Sequence, residues 1–172
     1  MLQTELPAKL KPWLDVAGSL TARLKAACQG GKFNVRVLAE RWERPTHEEA
    51  VRLGLPPAQL AWIRTVLLCC DHSPWVFART VMPHSSLRGR HRRLRYLGTR
   101  ALGSVVFAGR DVRRGPLELR QVGPDDRLLR QWDVPTGGRR LWARRSVLEV
   151  GGRPLLVMEV FLPELAYGVP YT

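Results

Sequence analysis

Two charged residues stand where charge is costly. Arg79 interrupts an otherwise apolar run, Pro74-Trp75-Val76-Phe77-Ala78-Arg79-Thr80-Val81-Met82-Pro83, and Glu159 interrupts another, Pro154-Leu155-Leu156-Val157-Met158-Glu159-Val160-Phe161-Leu162-Pro163. Both runs have strand length, proline boundaries and many β-branched or aromatic residues. In each, the charge stands four residues before the closing proline. An ionised group among apolar neighbours loses its water, so it must be paired, hold a ligand or shift toward neutrality. Arginine does not neutralise. A guanidinium in an apolar cavity offers a carboxylate two parallel hydrogen bonds, and a carboxylate elsewhere in that cavity accepts a hydroxyl hydrogen or takes a proton. Together they describe a site for a small anion with a polar group at its far end. The plainer arrangement, with the two charges on opposite faces or paired only with each other, fits the same pattern.

Positioning such a pair requires a sheet, and the chain supplies its pieces in order. Leu14, Ala17, Leu20, Leu24, Ala27 and Cys28 recur at helical spacing until Gln29-Gly30-Gly31 stops them. Phe33, Val35, Val37 and Ala39 alternate with polar residues as in a half-buried strand that breaks at Arg44-Pro45. Thr46 followed by Glu49 is a capping box for a helix through Leu53, and the short polar elements around it are expected to form a lid. The Asp71-His72-Ser73-Pro74 link joins the strand Trp62–Cys70 to the Arg79 run as an antiparallel hairpin. Ser85 or Ser86 caps a helix whose apolar side is Leu87, Leu94 and Leu97, with Arg88, Arg92, Arg93 and Arg95 toward solvent. In the turn that follows, Leu102-Gly103 leaves backbone N–H groups free to face an anion, before a strand Val105-Val106-Phe107. Leu117–Gln121 alternates as a strand, and a hairpin around Gly151-Gly152-Arg153 joins Leu141–Val150 to Leu155–Leu162. The sum, over residues 1–172, is a single α+β domain: a mainly antiparallel β-sheet with helices packed on one face and a buried small-ligand pocket.

Composition narrows the chemistry. With 172 residues, 45% of them hydrophobic, the chain can bury a core. The net charge is +13, and arginine supplies all the basic residues apart from Lys9, Lys11, Lys25 and Lys32. That surplus suits an anionic partner, but no run matches a nucleic-acid-binding signature, so no specific nucleic acid is expected. Cys28, Cys69 and Cys70 lack metal-type spacing and read as reduced core thiols of a cytoplasmic protein. The four histidines are scattered without a second ligand, so no metal is expected. No stretch approaches the roughly 20 apolar residues of a membrane span. There is no Gly-rich phosphate loop, nucleophile elbow or internal repeat. A soluble monomer is expected.

From about Leu14 onward the chain resembles the chorismate pyruvate-lyases. The resemblance is carried by Leu67-Leu68-Cys69 leading to Pro74-Trp75, by Ala78-Arg79-Thr80-Val81-Met82-Pro83, by Leu102-Gly103, by Leu141-Trp142-Ala143-Arg144-Arg145-Ser146, and by Glu159 before Phe161-Leu162-Pro163. It implies an enzyme that needs no cofactor and splits chorismate into 4-hydroxybenzoate and pyruvate, the entry step of ubiquinone synthesis in many bacteria. It further implies that Arg79 clamps the ring carboxylate, that the Leu102 N–H adds a hydrogen bond, and that Glu159 meets the 4-hydroxyl. Leu20 aligns with a further ligand-contacting position, and Arg144 and Arg145 are candidates for the second carboxylate.

Two routes are open to such a lyase. The C4 hydrogen passes to the enolpyruvyl methylene in a six-membered cyclic transition state, which needs only an oriented conformer, or Glu159 removes it as general base. The rival class is a non-catalytic sensor of small benzoate-like anions, because the fold also resembles ligand-binding domains of bacterial transcription regulators. A regulator would carry a DNA-binding domain ahead of the sensor, and only residues 1–13 precede the first expected helix.

Overall fold

Alternating apolar residues along two long hairpins set the architecture. The computed structural model describes residues 6–14, 19–109 and 111–168. Its strands are β1 (Phe33–Glu43), β2 (Ala61–Cys70), β3 (Ser73–Pro83), β4 (Val112–Arg114), β5 (Glu118–Val122), β6 (Leu141–Val150) and β7 (Arg153–Phe161). They form one antiparallel sheet in the order β1-β2-β3-β7-β6-β4, with β5 beside β4 on the same edge of β6. The β6–β7 hairpin closes on Gly151 and Gly152, with φ of 58° and 73°; two consecutive left-handed residues match the right-handed twist of the strands they join. The β2–β3 turn places Asp71 at φ 53°.

Among the described residues there are six short α-helices: α1 (Lys11–Leu14), α2 (Leu20–Ala27), α3 (His47–Leu53), α4 (Leu102–Val106), α5 (Arg127–Gln131) and α6 (Pro163–Tyr167). The expected capping box forms in full: Thr46 Oγ1 accepts from the Glu49 N–H, and Glu49 accepts from the Thr46 N–H. Of the helix expected from Leu14 to Cys28, the part from Leu20 is present with Ser19 as its cap, while Ala17 lies outside the described residues. After Pro83 the backbone winds as two 3-10 segments, His84–Ser86 and Gly89–Tyr96. Leu87, Leu94 and Leu97 are inside and Arg88, Arg92 and Arg93 exposed, as expected, but Arg95, expected toward solvent, is half-buried with its guanidinium over the Trp42 and Trp62 rings.

Val105-Val106-Phe107 is not a strand. Leu102 and Val106, one helical turn apart, pack with Leu94, Leu148 and Val157, so tertiary packing overrides the β preference of the two valines. Helices also lie on both faces of the sheet. On one, α1, α2 and α6 cover a core around Leu24, Val66, Val76 and Phe161, while α4 and the 3-10 helix cover a second around Met82, Leu148 and Val157. On the other, α5 covers Phe77, Leu141 and Val160, and α3 brings Leu53 onto Ile63, Val81 and Leu156. The polar segment expected to be a lid is thus pinned to the sheet by α3, because its buried Glu49 is an ion-pair partner of Arg79.

Cys28, just after α2, forms a disulfide with Cys70 at the end of β2, with the Cα atoms 5.6 Å apart; Cys69 is a buried free thiol. This corrects the reading of all three as reduced thiols. The link closes a separation of 42 residues, which by chain entropy contributes about 4 kcal/mol. Reductant is expected to lower the unfolding free energy by up to that amount in urea titrations, and Cys28→Ser is expected to be insensitive to it. Equal stability with and without reductant in the parent protein would show that the cross-link does not constrain the chain.

Candidate active site

Register decides which charges meet. Across β3 and β7, Ala78 stands opposite Glu159 and Arg79 opposite Met158. Residues directly opposite share a face of the sheet, and successive residues alternate between faces. Arg79 and Glu159 therefore project to opposite sides, which corrects the expectation that they hold the two ends of one ligand.

On its own side Arg79 is 3% exposed and bound by two carboxylates. It meets Glu49 through two parallel bonds, Nε to Oε1 at 2.7 Å and Nη2 to Oε2 at 3.1 Å, and donates from Nη1 to Glu43 at 2.9 Å. Burial disfavours its charge, but these two carboxylates outweigh burial and raise its pKa above the ordinary arginine value. Arg145 is on the same face, donating to Glu48 and Glu118 at 3.0 Å each. The Arg145 bond, reinforced by Arg120, holds the Glu48 carboxyl below its usual range. Arg145 is thereby separated from Glu159 as well.

Glu159 faces the other side, toward a cavity of about 50 Å³ at the seam of the two core clusters there. Leu20 and Thr21 of α2 and Leu102, Gly103 and Val106 of α4 cover it, and Val66, Leu68 and Val157 form its apolar floor. Three of the four expected ligand contacts, Leu20, Leu102 and Glu159, thus meet in one place, and Arg79 is elsewhere. Leu20 and Leu102 each stand first in their helix, where a backbone N–H has no intrahelical acceptor. The two covering helices approach closely at Gly103, where an added Cβ would come within 3.0 Å of the Ser19 and Thr21 hydroxyls. A cavity that takes benzene measures about 150 Å³, so an aromatic ligand requires the lining to rearrange.

The arginine of this cavity that sequence reasoning missed is Arg64. It is the lone charge in the apolar strand β2, stands opposite Thr80 and so shares Glu159's face, and is 2% exposed. Its signal was the one that singled out Arg79. Arg64 pairs with Glu40 and donates to the carbonyls of Gly98 at 2.9 Å and Arg100 at 2.7 Å. Of its five donors, the Nε–H and one terminal N–H have no partner among the described residues. Arg144 stands opposite Glu159, donates to its carboxylate, and gives a second bond to the Trp13 carbonyl at 2.9 Å. Arg114 completes the polar lining. Among the described residues no three His, Cys, Asp or Glu side chains converge as metal ligands would, and no helix is long and apolar enough to cross a membrane.

The family model described as chorismate lyase matches residues 2–168. A probable chorismate pyruvate-lyase of Aromatoleum aromaticum is 43% identical, covering 93% of this chain and 88% of its own. One of Halorhodospira halophila is 47% identical over 88% and 80% of the two chains. A chorismate pyruvate-lyase of Erwinia tasmaniensis is 38% identical over 92% and 80%. Among solved structures, the effector domain of PhnF from Mycobacterium smegmatis superposes with a TM-score of 0.62 at 17% identity, covering 86% of this chain and 90% of that one. The ligand-binding domain of a putative GntR-family regulator from Bordetella bronchiseptica gives 0.55 at 24%, over 78% and 85%. These two likenesses establish a shared fold.

Because Arg79 is the counter-charge of a buried carboxylate, Arg79→Ala is expected to lower the unfolding free energy by about 3–5 kcal/mol, measured by urea denaturation. An unchanged midpoint would mean that this ion pair does not hold α3 to the sheet.

Proposed function

Because the chain belongs to the chorismate lyase family, we infer that it is a chorismate pyruvate-lyase, releasing 4-hydroxybenzoate and pyruvate from chorismate. The observation that carries the site assignment is the shared face of Arg64 and Glu159, two buried charges lining one small apolar cavity. Arg64, through the two N–H groups left over from its own partners, takes the ring carboxylate. The N–H groups of Leu20 and Leu102 at the helix starts add neutral donors. Glu159, already held by Arg144 through Oε2, offers Oε1 to the 4-hydroxyl.

With both ends of the ring fixed, elimination follows from geometry. The bond from C3 to the ether oxygen breaks as the C4 hydrogen passes to the enolpyruvyl methylene. That carbon becomes the methyl group of pyruvate, and the ring becomes aromatic. No external acid, base or electron acceptor enters this balance, so the protein's task is to select the conformer that brings the methylene over C4. Orientation of this kind lowers barriers by several kcal/mol, and a dry pocket strengthens each polar contact that imposes it. The same proposal places the protein in the cytoplasm as a monomer, feeding ubiquinone synthesis. A reducing compartment would hold Cys28 and Cys70 as thiols.

EDTA-treated protein mixed with chorismate is expected to yield 4-hydroxybenzoate and pyruvate in equal amounts. Arg64→Gln is expected to cut kcat/KM by about 10- to 100-fold, the value of a charge-assisted bond, and Glu159→Gln to weaken 4-hydroxybenzoate binding. Full activity in Arg64→Gln would remove the clamp assignment. If neither product forms while 4-hydroxybenzoate raises the melting temperature, the cavity belongs to a sensor.

A further inference from the structure

Each of the most deeply buried arginines has a carboxylate: Arg64 has Glu40, Arg79 has Glu43 and Glu49, Arg144 has Glu159, and Arg145 has Glu48 and Glu118. Arg114 differs. It ends β4 opposite Leu148, on the cavity face, and lines the cavity. Its Nη1 donates to the Ser146 hydroxyl at 2.7 Å, and its guanidinium lies 5.6 Å from the Phe107 ring centre. Among the described residues no carboxylate comes within 4.0 Å of it. A guanidinium drawn out of water toward a neutral hydroxyl and an aromatic ring is left short of a counter-charge.

The chain withholds the acid that is next in line. Arg114 pairs with Leu148 and Glu118 with Arg145, so the register against β6 slips by one residue across Gly115-Pro116-Leu117. In an uninterrupted strand Glu118, four residues on, would share Arg114's face. The extra residue turns it to the opposite face, where it serves Arg145.

We propose that Arg114 binds the enolpyruvyl carboxylate of the substrate, a group that the benzoate product lacks. This rests on the lyase reading above. Ser146, its hydroxyl partner, is two residues along β6 from Arg144, the partner of Glu159, so Arg114 stands at the Glu159 end of the cavity. In chorismate the ether-bearing carbon neighbours the hydroxyl-bearing carbon. A hydroxyl on Glu159 therefore carries the enolpyruvyl arm toward Arg114, which fixes the arm's rotation about the ether bond. Of the sequence candidates for this carboxylate, Arg145 is paired with Glu48 and Glu118 on the other face, and Arg144, which holds Glu159 and keeps a buried Nη2 without a partner among the described residues, does not line the cavity.

The test separates the two anionic ends of the substrate. In Arg114→Gln, kcat/KM for chorismate is expected to fall about 100-fold, the loss of a desolvated charge-assisted contact, while calorimetric affinity for 4-hydroxybenzoate stays within about twofold of the parent. Arg114→Lys, which keeps the charge without the fork, is expected to recover part of the lost kcat/KM. Chorismate turnover and 4-hydroxybenzoate affinity falling together in both variants would overturn the proposal, as would turnover unchanged in Arg114→Gln. A parent protein that binds 4-hydroxybenzoate without turning over chorismate would instead overturn the lyase reading itself.

Discussion

The pairing register between β3 and β7 is the constraint on which this molecule depends. Setting Ala78 opposite Glu159 and Arg79 opposite Met158 assigns every charge in the two central strands to one side of the sheet or the other. A slip of one residue between them would set Arg79 opposite Glu159 and put both charges on one face of the sheet. The apolar residues in phase with each charge oppose that slip: Val76 belongs to the core beneath α2, and Phe77 to the core beneath α5. The ion pairs are thus placed by hydrophobic packing, and they in turn hold the covering elements, Glu49 tying down α3 and the Trp13 carbonyl on Arg144 tying α1.

Separating the charges in this way leaves the two faces with different tasks. Beneath α3, Arg79 is paired with Glu43 and Glu49, and Arg145 with Glu48 and Glu118. Beneath α2 and α4, Arg64, Arg114 and Glu159 line a cavity whose polar capacity exceeds what their protein partners fill. The cover there consists of two short helices meeting without a side chain at Gly103, with the Cys28–Cys70 link fastening the far end of one to the sheet.

The strands other than the three-residue β4, the hairpin turns and the capping box were legible in the sequence because each rests on local periodicity or on a few adjacent residues. Glu159 was found by its charge in an apolar run, Leu102 by the glycine that follows it and Leu20 through the family resemblance, and the structure brings them together. Arg79 was misplaced for a definable reason. Matching positions before a closing proline suggested equivalence between the two runs, but β3 and β7 run antiparallel and the side on which a residue emerges depends on long-range register. Arg64 stands in an apolar strand just as Arg79 does, so the cost of burying charge marks both equally. Nothing in the spacing of Cys28 and Cys70 announces their pairing, and the valines of α4 carry a strand preference that packing reverses.

The slip at Gly115-Pro116-Leu117 also governs how this molecule meets its own copies. It divides the sheet's β6-side margin into strands of three and five residues, and Pro116 between them has no N–H to offer. A neighbouring chain seeking to extend the sheet finds no continuous row of donors and acceptors along that margin. Interrupted, proline-bearing edges are how β-proteins avoid templating aggregation. The residue count that turns Glu118 away from the cavity thus also protects this edge of the sheet in a crowded cell.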